Sequence, residues 1–244
     1  MAPRKGASSL AKMDPNILAQ LESGTMETAT LTEGLGINMG RLMTAVAPDI
    51  PIAQFDLNAG IVQRMAQAGA LLRANGDPAN YNTHISDTVR GWAAFAAGQD
   101  ATIEPLKRID AMRPFAADPH FGVREWAWMA VRAIIVAQPL EAIERLVSWT
   151  QDADPHVRRF ASEATRPRGV WAASIPQLRT NPKQGLVIIA PLRFDSERYV
   201  EDSVANWLND ACKDHPDWVR GLLDIWTQEG VAPRLIKRAG RSLP

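Results

Sequence analysis

A short motif centred on a valine recurs along the chain at nearly regular intervals. It reads Asp-Thr-Val-Arg-Gly-Trp-Ala around Val89, Asp-Pro-His-Phe-Gly-Val-Arg-Glu-Trp-Ala around Val123 and Asp-Pro-His-Val-Arg-Arg-Phe-Ala around Val157, and an altered copy surrounds Val200. The four valines are 34, 34 and 43 residues apart, and another helical pattern precedes each copy. Such a period is typical of repeated helix pairs that stack on their neighbours.

The repeat predicts the fold class. We expect an all-α chain, a curved α-solenoid of HEAT-like helix pairs with an N-terminal helical cap, because no stretch alternates with period two for long enough to indicate a sheet. The predicted boundaries are a flexible tail over residues 1–14, a helical cap over 15–57 and the repeat array over 58–244.

Composition excludes several classes of protein. The single cysteine, Cys212, rules out a disulfide framework and a cysteine-based zinc site. No apolar run reaches membrane-spanning length, so we expect no membrane partner and a cytoplasmic location. The formal net charge is zero, with 27 basic and 27 acidic residues, so only the distribution of charge can indicate a nucleic-acid partner.

The stretch from Asp154 to Arg168 concentrates charge on one predicted helix. Asp154 suits the N-cap, Pro155 suits the first helical position and Pro167 ends the pattern. One carboxylate, Glu163, is surrounded by four arginines: Arg158, Arg159, Arg166 and Arg168. The carboxylate is either an ordinary ion-pair partner or a reactive group held where a polyanion binds.

Three acids occupy related positions in successive repeats. Glu125 lies two residues after its valine, Glu163 six after its own and Asp210 ten after Val200. Steps of four residues keep a side chain on nearly the same face of a helix, so the three acids are predicted to share one stripe. The alternative is that each forms a surface ion pair with a nearby arginine, which contributes little to stability.

Basic residues gather on the same helices and on the last one. A basic surface of this kind binds the phosphate backbone of DNA, whereas the alternative interpretation is a solvated face. The large residues three positions after the repeat valines, Trp92, Trp126 and Phe160, are predicted to be core. The candidate DNA-binding residues are Arg124, Arg132, Arg158, Arg159, Arg166, Arg168, Lys237 and Arg238.

Two segments resemble a known family. They are Arg158-Arg-Phe-Ala-Ser-Glu-Ala-Thr-Arg-Pro-Arg168 and Ser203-Val-Ala-Asn-Trp-Leu-Asn-Asp210, and together with their surroundings they are similar to the AlkC/AlkD superfamily of HEAT-like DNA glycosylases, most closely to its AlkC branch. The resemblance covers residues 85–230. It implies hydrolysis of the N-glycosidic bond of cationic N-alkylated bases in duplex DNA.

The resemblance also implies site residues. The catalytic acids of the family carry over to Glu163 and Asp210, but its third glutamate falls at Trp128, so Glu125 is the candidate replacement. Trp128 and Trp171 are candidates for contact with the lesion. Because the alkylated base is already a cationic leaving group, no metal and no organic cofactor is required.

A second departure from the family is Glu201-Asp202, where relatives commonly carry two arginines. We predict a monomer that binds double-stranded DNA containing alkylated bases, in a bacterial cytoplasm and on the nucleoid when bound. Two alternatives stay open: a non-catalytic HEAT-repeat protein that binds damaged or branched DNA, and a protein-binding HEAT scaffold.

Overall fold

The computed structural model describes residues 4–52 and 55–243, and every regular element within these ranges is helical. The all-α prediction is therefore confirmed. The chain divides into two compact units, which are described separately. None of the helices in the described ranges is long and apolar enough to cross a membrane.

Unit 1 comprises residues 1–104 and 118–130. Its helices are α1 (Pro15–Glu22), α2 (Leu31–Gly36), α3 (Met39–Val46), α4 (Ile61–Asn75), α5 (Asp87–Gly98) and α8 (Phe121–Ala130). Its core is formed by α4, α5 and α8, and Gly69 on α4 permits close packing, because a Cβ there would lie 2.7 Å from the backbone nitrogen of Ala96 on α5.

Unit 2 comprises residues 105–117 and 131–244. Its helices are α6 (Pro105–Asp110), α7 (Arg113–Ala116), α9 (Arg132–Ala137), α10 (Pro139–Val147), α11 (Pro155–Ala164), α12 (Pro176–Thr180), α13 (Leu186–Ile189), α14 (Arg198–Cys212), α15 (Pro216–Gln228) and α16 (Pro233–Ala239). Its centre is α14, which packs against both α11 and α16.

The repeat valines lie at equivalent places in the second helix of each pair, α5, α8, α11 and α14. All four are completely buried. The aromatic residues three positions later are buried as well, which confirms that they are core, and Ser203 takes their place in the last repeat. The apolar positions of the motif therefore pack the helices together, and this packing fixes the positions of the charged residues between them.

The arginine directly after each of the first three repeat valines binds the loop that precedes its helix. Arg90, Arg124 and Arg158 each donate from Nη1 to the backbone carbonyls five and six residues earlier, over 2.7 to 3.1 Å. These carbonyls precede the helix and lack partners in it, so the arginines satisfy backbone groups that burial would otherwise leave unpaired.

Local signals predicted the long helices well and the short ones poorly. The segment 23–36 contains α2, which the Thr/Gly-rich composition did not indicate; Thr30 caps it by accepting from the Glu33 backbone N–H over 3.3 Å. The helical pattern that precedes Val123 predicts one helix over residues 102–115, whereas the structure has two shorter helices there, α6 and α7.

The expected flexible tail over 1–14 includes residues 1–3, which lie outside the described residues, as do 53 and 54 within the expected cap and 244 in the array. Within the described part of the tail, the guanidinium of Arg4 forms two hydrogen bonds with the Glu33 carboxylate, 2.6 and 2.7 Å long. The boundaries of tail, cap and array stay predictions.

Candidate active site

Helix α11 carries the first candidate acid. The Asp154 side chain caps it by accepting from the His156 backbone N–H over 2.8 Å, and Pro155 occupies the first turn, as the sequence predicts. The helix ends at Ala164, so Glu163 projects from its last turn and is only 4% exposed. The cap thus fixes where the carboxylate sits along the helix.

The Glu163 carboxylate is fully engaged by hydrogen-bond donors. Its Oε1 accepts from Arg166 Nη1 over 2.7 Å, and its Oε2 accepts from Ser203 Oγ over 2.8 Å. Arg159 Nη2 lies 3.3 Å from the same Oε2. Ser162 Oγ lies 2.8 Å from Ser203 Oγ, so a chain of two hydroxyl groups ends on the carboxylate.

Asp210 on α14 shares an arginine with Glu163. Arg166 donates from Nε to Asp210 Oδ2 over 2.8 Å, its Nη2 also lies 2.8 Å from that oxygen, and Lys213 Nζ lies 3.3 Å from Oδ1. Asp210 is 3% exposed, and the Arg166 side chain lies over the two acids with 12% of its surface exposed. One guanidinium therefore joins the two carboxylates that the sequence predicts to be catalytic.

The surroundings keep this cluster charged. Burial alone would raise the pKa of Glu163, but the guanidinium groups of Arg159 and Arg166 outweigh it and hold that pKa below its usual range. Burial opposes the charge of Arg166, yet Glu163 and Asp210 raise its pKa overall. Glu163 is therefore an anion at neutral pH despite its burial.

A buried arginine lies behind the cluster, at the start of α9. Arg132 is 3% exposed, and burial followed by the charge of Arg166 lowers its pKa to about 10. Its guanidinium donates to the backbone carbonyls of Ala164 (2.6 Å), Arg166 (2.7 Å) and Ala173 (2.7 Å). These carbonyls frame the loop between α11 and α12.

The same loop carries the candidate lesion contact Trp171. This residue has φ of 60°, and 46% of its surface is exposed. A non-glycine residue in the left-handed region is strained, and such residues cluster at functional sites. Trp171 is thus an exposed aromatic side chain on the loop that follows Glu163 in the chain and that Arg132 anchors.

The other two predicted site residues of this group belong to unit 1. Glu125 lies on α8, and its Oε2 accepts from Trp128 Nε1 over 2.8 Å. Trp128 is 2% exposed, so its ring faces other residues rather than solvent. The structure therefore joins Glu163 with Asp210 and, separately, Glu125 with Trp128.

The predicted phosphate-binding arginines differ in how far they are engaged within the protein. Arg158, beyond its two carbonyl contacts, pairs with Asp195 over 2.6 Å. Arg124 is 8% exposed and contacts backbone carbonyls. Arg168 pairs with Asp214 over 2.6 Å and keeps a third of its side chain exposed.

The basic face of α16 is partly neutralised by α14. Arg234 pairs with Glu201 over 2.8 Å and also contacts Asp202, and Arg238 lies 3.3 Å from Asp202. Lys237 is exposed. Glu201 and Asp202, at which this chain departs from the family it resembles, thus form ion pairs with α16.

Ser203 is a residue of the candidate site that was not predicted from the sequence. Its position in the repeat matches Trp92, Trp126 and Phe160, which are core residues. A hydroxyl in place of an aromatic ring at a buried position was the available signal, because buried hydroxyl groups need a partner. That partner is Glu163 on the neighbouring repeat.

Comparison with known proteins identifies the family. Residues 98–243 match the model of the family described as DNA alkylation repair enzyme. A curated relative, the uncharacterized protein YhaZ of Bacillus subtilis (strain 168), is 41% identical over 117 residues. That match covers 47% of this chain and 32% of the relative, so it spans about a third of the relative's length.

Two solved structures share the fold. The alkylpurine DNA glycosylase AlkC of Pseudomonas fluorescens, bound to DNA containing an abasic site analog, matches with a TM-score of 0.65 and 27% identity, over 98% of this chain and 65% of that chain. AlkD2 of Streptococcus mutans matches with a TM-score of 0.62 and 24% identity, over 78% of this chain and 94% of that chain.

These matches agree with the resemblance to the AlkC/AlkD superfamily and with its helical-repeat fold. The family model covers more than half of the chain and includes α11 and α14, the helices that bring Glu163 and Asp210 together. The chain therefore belongs to the DNA alkylation repair enzyme family.

Proposed function

We propose that this protein is a DNA glycosylase that hydrolyses the N-glycosidic bond of cationic N-alkylated bases in duplex DNA. The observation that carries the proposal is the pair of buried carboxylates, Glu163 and Asp210, joined by Arg166. The loop that follows Glu163 also carries the exposed Trp171. Buried ionised groups with displaced pKa values are characteristic of sites that do chemistry. The 27% identity to AlkC over nearly the whole chain supports the same class of reaction.

The reaction needs little from the enzyme beyond charge and a water molecule. An alkylated base departs as a neutral molecule, and positive charge develops on the sugar. A carboxylate near that sugar stabilises the developing charge, and the same group or its neighbour orients the attacking water. Glu163 and Asp210 supply two such groups, and Arg159 and Arg166 keep at least Glu163 in the anionic form this role requires.

Access to the two acids depends on Arg166, which covers them. A guanidinium binds a DNA phosphate with the same charge-assisted, bidentate geometry as a carboxylate, so a backbone phosphate can compete for Arg166. We expect Arg166 to turn toward the backbone when DNA binds and so uncover Asp210. In this role the arginine is a DNA-binding residue, as the sequence predicts.

The test is release of base from methylated DNA. Purified protein is incubated with duplex DNA treated with a methylating agent, and free methylated bases are measured by chromatography. We expect release by the unmodified protein and its loss in Glu163→Gln and in Asp210→Asn. Persistent release in both variants, with folding intact, contradicts the assignment of the acids.

A matched control uses an acid outside the cluster. Asp217 on α15 has a side chain that is 93% exposed, and it forms an ion pair with Arg220 three residues away. Asp217→Asn removes the same charge and should leave release unchanged. Glu125→Gln, measured in parallel, decides whether the acid in unit 1 takes part.

A non-catalytic DNA-binding protein is the second candidate. The observation that favours it is that Arg166 already occupies both carboxylates. Salt-dependent binding to methylated and unmodified duplexes without any release of base supports this candidate. Absence of both binding and release leaves the protein-binding scaffold as the remaining hypothesis.

A further inference from the structure

The loop between α11 and α12, residues 165–175, is held in one conformation by contacts at both ends. The Ile175 backbone N–H donates to the Pro167 carbonyl over 3.0 Å, which closes the loop on itself. A Cβ at position 169 would lie 2.9 Å from the Ala172 carbonyl oxygen, so the glycine there permits the tight path. The loop is thus compact although its tip is exposed.

Arg132 makes the contacts that cross this loop. Its Nη1 donates to the Ala164 carbonyl at the end of α11, its Nη2 to the Arg166 carbonyl, and its Nε to the Ala173 carbonyl on the far side of Trp171. All three distances are 2.7 Å or less. A planar guanidinium fixes the relative orientation of three acceptors as no single-point donor can.

These contacts leave Arg132 poorly suited to bind a phosphate. The residue is 3% exposed, and each of its guanidinium nitrogens already donates to a carbonyl inside unit 2. Leaving those acceptors unpaired in a buried place would cost free energy. A role within the protein fits the geometry better than the DNA contact expected from the sequence.

The contacts of Arg132 with the loop also bear on Trp171, whose side chain is exposed at the tip of the loop. Its left-handed backbone conformation is strained, so the loop would relax to another conformation if the surrounding contacts did not determine it. The neighbouring Val170 is 54% exposed and Trp171 46%, so the strained segment presents apolar side chains to solvent. The strained conformation therefore accompanies an outward position of the ring and does not bury the ring in a core.

We propose that Arg132 is a positioning residue that holds residues 164–173, the segment directly after Glu163, so that the Trp171 indole stands fixed and exposed, ready to press against the deoxyribose or base of a damaged nucleotide. The proposal rests on the proposed glycosylase function for its ligand. The anchoring itself is a property of the free protein and can be measured without DNA.

The first experiment measures the ring in the free protein. The eight tryptophans are replaced with 5-fluorotryptophan, and the fluorine resonance of Trp171 is assigned by its loss in Trp171→Phe. We expect one narrow resonance in the unmodified sequence and a shifted or broadened one in Arg132→Lys and Arg132→Met. An unchanged Trp171 resonance in a folded Arg132 variant overturns the proposal.

A matched control separates anchoring of this loop from general loosening. Arg158 also donates to two backbone carbonyls and to a carboxylate within unit 2. Arg158→Lys removes a comparable set of contacts at another loop and should leave the Trp171 resonance in place. If Arg132→Met fails to fold, Arg132→Lys retains the buried charge and still removes the three-point contact.

The second experiment asks whether Arg132 acts through Trp171. In single-turnover excision from methylated DNA, we expect Arg132→Met to lower the rate on the order of 100-fold, as misplacement of a contact group does. In the Trp171→Ala background the same change should lower it by less than about threefold, because the residue being positioned is gone. Independent, multiplicative losses contradict the proposal.

The two experiments fail in distinguishable ways. If the unmodified protein releases no base, the proposed function is wrong, and the fluorine spectra still decide whether Arg132 fixes the ring. If release is normal and the resonance does not respond to Arg132, the function stands and the positioning role is wrong.

Discussion

The Oγ of Ser203 donates a hydrogen bond of 2.8 Å to Oε2 of Glu163, and this contact joins α14 to α11 at the candidate site. It stabilises the anionic form of the acid, because a hydroxyl donates to a carboxylate and not to the protonated oxygen it would become. Ser203 is therefore the residue through which the environment of Glu163 can be altered without removing a charge.

Replacing Ser203 with alanine should raise the pKa of Glu163. Excision requires the anionic acid, so the acidic limb of the pH–rate profile should move to higher pH, and the rate at neutral pH should change little. Stability should fall by about 1–3 kcal/mol, since a buried acceptor loses its donor. The profile of Ser162→Ala, which alters the hydroxyl one step further away, should move less; equal shifts would contradict the direct role of Ser203.

Replacing Arg166 with methionine should destabilise unit 2 strongly. The change leaves Glu163 and Asp210 buried without their shared guanidinium, and breaking a buried pair by removing one partner costs about 3–5 kcal/mol. The measurement is the free energy of unfolding in urea. Arg220→Met, which breaks an exposed pair with Asp217, should cost less than about 1 kcal/mol and serves as the control.

The contact between Arg4 and Glu33 should make stability depend on pH below 4.5. The hydrogen bond from Arg4 lowers the pKa of Glu33 from 4.5 to about 2. A lowered pKa in the folded state stabilises the protein above the unfolded value, and the gain is lost as pH falls from 4.5 through 2. The gain should be roughly 2–3 kcal/mol at neutral pH.

The measurement is the free energy of unfolding at pH 7 and at pH 2.5 for the unmodified chain and for Glu33→Gln. We expect a large difference between the two proteins at pH 7 and a small one at pH 2.5. A constant difference would mean that the charge of Glu33 is not what holds residues 4–7 against α2.

Lys237 should contribute to DNA binding through charge alone. It is exposed on α16, whereas its neighbour Arg234 is paired with Glu201 and Asp202. We expect Lys237→Ala to lower the slope of log affinity against log salt by about 1, equally for methylated and unmodified duplexes. Lys107→Ala, on the first helix of its pair, is the control and should leave the slope unchanged.

Periodicity predicted the part of the fold that depends on local packing. The repeat valines located α5, α8, α11 and α14, because a buried position every 34 or so residues constrains which helix faces inward. The Thr/Gly-rich composition of residues 23–36 hid α2, which depends on a cap at Thr30 and on tertiary contacts of Glu33. Short helices of this kind are weakly encoded by their own residues.

Spacing predicted the contacts within α11 and its end but not those between helices. Arg159 and Arg166 lie four and three residues from Glu163 in the chain, so helical geometry alone predicts both ion pairs. The bond from Arg166 to Asp210 spans 44 residues and the one from Ser203 to Glu163 spans 40. Both depend on how adjacent repeats align, which an irregular 43-residue interval leaves undetermined.

Contacts with backbone carbonyl groups are a second feature of the candidate site that cannot be predicted from sequence. The three partners of Arg132 are backbone carbonyl groups, which every residue carries. The sequence therefore does not distinguish such an arginine from one that binds phosphate. The strained conformation of Trp171 is likewise invisible in a sequence, since φ of 60° is rare for tryptophan and is imposed by the loop.

The arginine that follows each of the first three repeat valines also bears on the order in which the chain can fold. Arg90, Arg124 and Arg158 reach carbonyls only five and six residues earlier, so these contacts need no distant partner. The carboxylates that Arg90 and Arg158 bind lie 28 and 37 residues later. Each of these three loops can therefore join its helix early, and the guanidinium groups of Arg90 and Arg158 then bind a carboxylate of the following segment, so that structure can propagate between neighbouring repeats.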